Sequence, residues 1–101
     1  MTFEDALISV WQQTLLDEAR RVELNGESFP VRKTKNRSLR QVDFEFDGRK
    51  LRGIEQNPRT TSRWAKLARA GKKVMQFTEA GRWLGVVAEG KLTLYGKRRG
   101  S

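Results

Sequence analysis

The sequence predicts an α+β fold: a strongly curved antiparallel sheet, or a small OB- or SH3-like barrel, with an N-terminal helix and one short helix between strands. Three observations carry this. Apolar residues recur at helical spacing over the first twenty positions. Turn dipeptides ending in glycine then divide stretches of alternating polarity. Finally, Asn57-Pro58 and the run Thr60-Thr61-Ser62 break the strands once with a helix start.

The first element is an amphipathic helix expected over 3–20. Thr2 and Asp5 form a capping-box pattern with Asp in the Glu position. Leu7, Ile8, Trp11, Leu15 and Ala19 form the apolar stripe, widened by Phe3 and Val10. Glu4 and Asp5 begin the helix and Arg20 and Arg21 end it, in the sense the helix dipole favours. Asn25-Gly26 then joins Val22–Leu24 to Ser28–Val31 as a hairpin, with C-capping by Gly26 as the competing use, and Pro30 points to an edge or a strand start. Residues 32–38, basic and without bulky apolar side chains, read as an exposed loop.

Asp47-Gly48 is a type I′ turn signal. Folding about it sets Phe44 opposite Leu51, Glu45 opposite Lys50 and Asp43 opposite Arg52. One face then carries Val42, Phe44 and Phe46, and the other carries two opposite-charge pairs. A short helix follows, with Trp64, Leu67 and Ala68 on its apolar face and Gly71 as its stop. Three strands close the chain, near 73–78, 82–88 and 91–95, linked by Glu79-Ala80-Gly81 and Glu89-Gly90. Trp83 and Val87 share parity on the second of these, and both are expected in the core. The whole, 1–101, reads as a single domain, with sheet or barrel over 21–95 and a basic tail over 96–101.

At 101 residues there is room for one modest core. With no Cys and no His, disulfides, thiolate nucleophiles, Cys/His zinc sites and His-based catalytic triads are excluded. Neither a Walker A run nor Gly-x-Gly-x-x-Gly occurs, so no cofactor is expected. Asp43, Glu45 and Asp47 could chelate a divalent ion, but Lys50 and Arg52 are placed to neutralise them, so no metal site is expected either. No catalytic residue is assigned. The longest mostly apolar stretch near the start, Ala6–Trp11, is broken by Ser9 and preceded by acidic residues, which argues against a signal peptide, against a membrane partner and for a cytoplasmic location.

Charge is the most informative feature. Residues 1–30 hold six acidic and two basic residues, a net −4, whereas 31–73 hold fourteen basic and four acidic, a net +10, within an overall +9. No carboxylate occurs between Gln56 and Thr78. The leading expectation is therefore a nucleic-acid-binding module, for DNA or RNA, with phosphate contacts from Arg32, Lys33, Lys35, Arg37, Arg59, Arg63, Lys66, Arg69, Lys72 and Lys73. Thr60, Thr61 and Ser62 mark a candidate anion site at the start of the second helix, or simply its cap. Among the aromatics that could stack on bases, Trp64, Phe77, Trp83 and Tyr95, most must be core, and Tyr95 is expected to stay partly exposed. Glu55 with Gln56 and Asn57 reads as a loop-fixing group that could also meet a base edge. The alternative is a protein-interaction module, possibly homodimeric, in which an acidic first helix docks on the basic middle of another copy. A small-ligand or enzymatic barrel using the site at Arg59–Arg63 is the third possibility.

Overall fold

A computed structural model describes residues 1–16 and 20–96. Helix α1 spans Phe3–Leu16, followed by β1 (Arg21–Leu24), β2 (Glu27–Lys33), β3 (Arg40–Phe46), β4 (Arg49–Glu55), α2 (Arg63–Arg69), β5 (Val74–Glu79), β6 (Arg82–Ala88) and β7 (Lys91–Leu94). All neighbours pair antiparallel in the linear order β1 to β7. The fold is therefore α+β with one seven-stranded antiparallel sheet and a short helix between strands. No β1–β7 pairing closes it among the described residues.

The four tight hairpins, all but the β2–β3 connection, share one device. Asn25-Gly26, Asp47-Gly48, Ala80-Gly81 and Glu89-Gly90 each put two successive residues at positive φ, the geometry whose twist matches that of the flanking strands. The register about Asp47-Gly48 is the expected one: Phe44 faces Leu51, Glu45 faces Lys50, and Asp43 faces Arg52.

Helix α1 starts where expected, with Thr2 Oγ1 accepting the Asp5 N–H at 3.1 Å. It ends earlier than residue 20. Arg20 lies at φ 73 and Arg21 opens β1, so neither arginine belongs to a last helical turn; residues 17–19 lie outside the described ones. Ala6, Leu7, Val10 and Trp11 are buried against Val22, Val42, Phe44, Leu51, Met75, Phe77 and Val87. The expected loop 32–38 also shifts, since β2 extends through Arg32 and Lys33 and the connection is 34–39. Pro30 sits where β2 changes partner: residues 27–30 pair with β1 and 31–33 with β3, so its missing N–H costs no ladder bond to β3.

The largest departure concerns Trp83. Thr78 faces Trp83, but Phe77 faces Gly85, so Leu84 is an extra residue in β6. This bulge breaks the alternation. Val87, opposite Met75, is fully buried as expected, whereas Trp83 is thrown to the other face and is 62% exposed. Trp83 is therefore not a core residue.

Candidate functional site

The register defines a second face of the sheet. Ile54, Gln76, Val86 and Thr93 lie in one row across β4–β7, and Arg52, Thr78 and Trp83 in the next row. The alternate residues Gly53, Phe77 and Gly85 belong to the face covered by α1. On the second face lies a hollow of about 450 Å³, bounded by Trp64 of α2, Trp83 of β6 and Tyr95 after β7. Leu39 and Ile54 complete the apolar wall, with Glu55, Gln56 and Gln76 as polar members.

A relay of hydrogen bonds holds one wall. Tyr95 Oη donates to Gln76 Oε1 at 2.7 Å, and Gln76 Nε2 donates to Gln56 Oε1 at 2.6 Å. Gln56 Nε2 then donates to the Asn57 carbonyl at 2.9 Å and to Thr60 Oγ1 at 3.2 Å. Both glutamines are buried. Burial raises the Tyr95 phenol above its ordinary pKa, while the Gln76 bond and the positive charge of Arg63 pull the other way. The Arg63 guanidinium lies 4.5 Å from the centroid of the Trp64 ring, so a cation stands on the rim beside the aromatic lining. Trp64 is half-buried rather than fully core, and Tyr95 is half-buried as expected.

The loop carrying Asn57–Ser62 is built by local capping. Asn57 Oδ1 accepts the Arg59 N–H at 2.9 Å, and Ser62 Oγ accepts the Ala65 N–H at 3.1 Å as the N-cap of α2. Of the three residues expected to cradle an anion, Ser62 therefore has its hydroxyl occupied by the cap, Thr60 is engaged by Gln56, and Thr61 is exposed. Glu55 fixes the start of β3 by accepting the Arg40 N–H at 3.3 Å.

The ten candidate phosphate-binding cations divide into two groups. Arg32 pairs with Asp43, Lys72 lies 3.3 Å from Glu89, and Arg69 donates to the carbonyls of Pro58 and Thr60 at 2.6 and 2.9 Å. These three have structural partners. Lys33, Lys35, Arg37, Arg59, Arg63, Lys66 and Lys73 are exposed and face no carboxylate among the described residues. Ser38 and Leu39 border the same depression as Pro58, Ala68 and Lys73, which brings the loop of Lys35 and Arg37 beside the end of α2. Lys97, Arg98 and Arg99 of the basic tail lie outside the described residues.

On the acidic strand face Asp43 is neutralised, whereas Glu45 faces Lys50 in the register without forming an ion pair. Asp43 Oδ1 accepts from Arg52 Nε at 2.6 Å, in addition to the pair with Arg32. A broader hollow of about 500 Å³ lies over these ions and Lys50. Asp43 and Arg52 there are already paired with each other, and Glu45 and Lys50 are single exposed charges, which leaves the aromatic hollow as the better candidate site. Sequence reasoning did not find the Gln56–Gln76 pair. The available signal was Gln76 itself, one amide in the otherwise apolar run Val74-Met75-Gln76-Phe77. Compared with protein-family models, with curated proteins and with solved structures, the chain matches none.

Proposed function

We propose that the protein is a binding module rather than an enzyme, and that it contacts nucleic-acid phosphates through the basic surface formed by the 34–39 loop, the 56–62 loop and α2. The observation that supports this reading is the set of seven exposed cations without a carboxylate partner among the described residues. Lys50, Arg82 and Lys91 are also exposed without an ion-pair partner among the described residues, but they stand singly on the strands, whereas these seven fall within the stretches 33–37 and 59–73. Phosphates suit such a surface because each neutralised phosphate releases condensed counterions. Contact would be made mainly with the backbone, which fixes position without reading sequence. We further read the sheet as curling toward a half-open barrel around α1. That helix packs on β1 and β3 and also on β6 and β7, strands from both ends of the order.

The test is oligonucleotide binding at two salt concentrations with the triple variant Arg59→Glu, Arg63→Glu and Lys66→Glu. The parent should bind at low salt and weaken steeply as salt rises. The triple variant should bind weakly to every sequence and show a flatter salt slope. No binding by the parent at low salt, or parent-like binding by the variant, overturns the reading. Elution as a salt-sensitive dimer, with no oligonucleotide binding, would reassign the surface to contacts between copies.

A further inference from the structure

We propose that the hollow among Trp64, Trp83 and Tyr95 receives one unpaired base of a single-stranded nucleic acid, stacked on the Trp83 indole with its edge turned to Gln76. This rests on the phosphate-binding reading and narrows it to single strands, because a base inside a duplex cannot enter a hollow without leaving its stack.

Four observations converge on it. Trp83 is the one large aromatic ring left 62% exposed among the described residues, on a strand whose bulge directs it to this face. An indole has an apolar face that any base can cover, and stacking on exposed rings among cations is how single-strand binders hold bases. The hollow, about 450 Å³, falls in the size range of small-ligand sites, about 300–1,000 Å³.

Gln76 supplies a polar edge within this apolar lining. Its carboxamide has two N–H groups and two oxygen lone pairs. One N–H goes to Gln56 and one lone pair to Tyr95. One N–H and one lone pair of this buried amide therefore have no partner among the described residues, a donor and an acceptor of the kind that a base edge can match. Gln56 and Tyr95 hold that amide in place, as the sites of oriented ligands require.

The sign of the local charge selects the ligand class. An aromatic trio could also enclose a quaternary ammonium, as in readers of methylated lysine. Here a guanidinium already lies on Trp64, the one carboxylate of the lining, Glu55, accepts the Arg40 N–H, and the chain from Gln56 to Thr78 has none. A cationic ligand would meet Arg63 at the rim. A nucleotide would place a neutral base in the hollow and its phosphate toward Arg63 and Arg59.

The experiment compares the full chain with Trp83→Ala and Trp83→Phe on three fluorescent probes of equal length: (dT)12, (dA)12 and an abasic 12-mer with the same phosphates. Fluorescence anisotropy is read at two salt concentrations. The parent should bind (dT)12 or (dA)12 at least tenfold more tightly than the abasic strand. Trp83→Ala should lose about tenfold to a hundredfold on the base-bearing strands and nothing on the abasic one, with its salt slope unchanged. Trp83→Phe should recover most of the loss. Equal affinity of the parent for abasic and base-bearing strands overturns base insertion while leaving phosphate binding standing. Absence of all oligonucleotide binding at low salt overturns both. Saturable binding of a trimethyllysine peptide, lost in Trp83→Ala, with equal affinity for the abasic and base-bearing strands, would show the aromatic trio to be a cation cage instead.

Discussion

At the scale of single residues, the two largest aromatic investments of the final strands act in opposite ways. Phe77 is fully buried, edge-on to Phe44 at 6.4 Å between ring centroids, and both of its ladder neighbours, Gly53 and Gly85, lack side chains. A Cβ on Gly53 would lie 2.8 Å from Phe77 Cε1, so the ring occupies the space the glycine leaves. Phe77→Ala should cost about 3–5 kcal/mol through lost transfer energy and an unfilled cavity. Trp83→Ala should change stability by only about 0.5 kcal/mol despite removing a larger side chain, because the ring is mostly in water already. Urea denaturation of both variants checks the contrast; a Trp83→Ala loss as large as that of Phe77→Ala would return Trp83 to the core.

At the scale of elements, the bulge in β6 decides what faces what. Local chemistry made the Asp47-Gly48 hairpin readable, because turn type, alternation and charge pairing all specify the same register. The same reasoning placed Trp83 with Val87, since both have odd numbers on one strand. It failed because an extra residue, Leu84, reverses the parity between them, and nothing in the local pattern announces a bulge. Gly85 is part of this arrangement: a Cβ there would lie 2.6 Å from the Thr93 carbonyl oxygen and 3.2 Å from Leu94 Cα, both backbone atoms of β7. Gly85→Ala should therefore cost about 1–3 kcal/mol and displace β7, with Tyr95 following because its N–H donates to the Leu84 carbonyl at 2.9 Å. A thermal melt and the quenching of the Tyr95-adjacent tryptophans would report it; parent-like values for both would contradict the contact. The short helix was legible from its cap and stop signals. The Gln56–Gln76–Tyr95 relay was not, since it joins residues nineteen and twenty positions apart that only the sheet brings together.

At the scale of the molecule, cations were legible as composition, but which were already partnered depended on tertiary register. The Arg49–Glu79 pair shows this. Arg49 Nε and Nη2 donate to the two carboxylate oxygens at 2.8 and 2.7 Å from residues thirty positions apart. The Arg49 hydrogen bonds hold the Glu79 carboxyl below the usual carboxylate range. A depressed folded-state pKa means stability that is present above the ordinary Glu pKa and lost as pH falls through the folded value. Solvent screens the pair, so Glu79→Gln should destabilise by about 0.2–1 kcal/mol near neutral pH and by nothing measurable on the acid side of Glu titration. Urea melts at neutral and strongly acid pH check this; a difference that persists in acid would assign the effect to packing. The linear strand order has a further consequence, for self-association. The sheet terminates in β1 and β7, each of four residues, with Arg21 and Glu23 on one and Lys91 on the other. Brief, charged borders give a second chain little to pair with, so a sheet with no closing pair among the described residues can stay free of runaway fibril growth while its tryptophan-bearing face remains open to solvent.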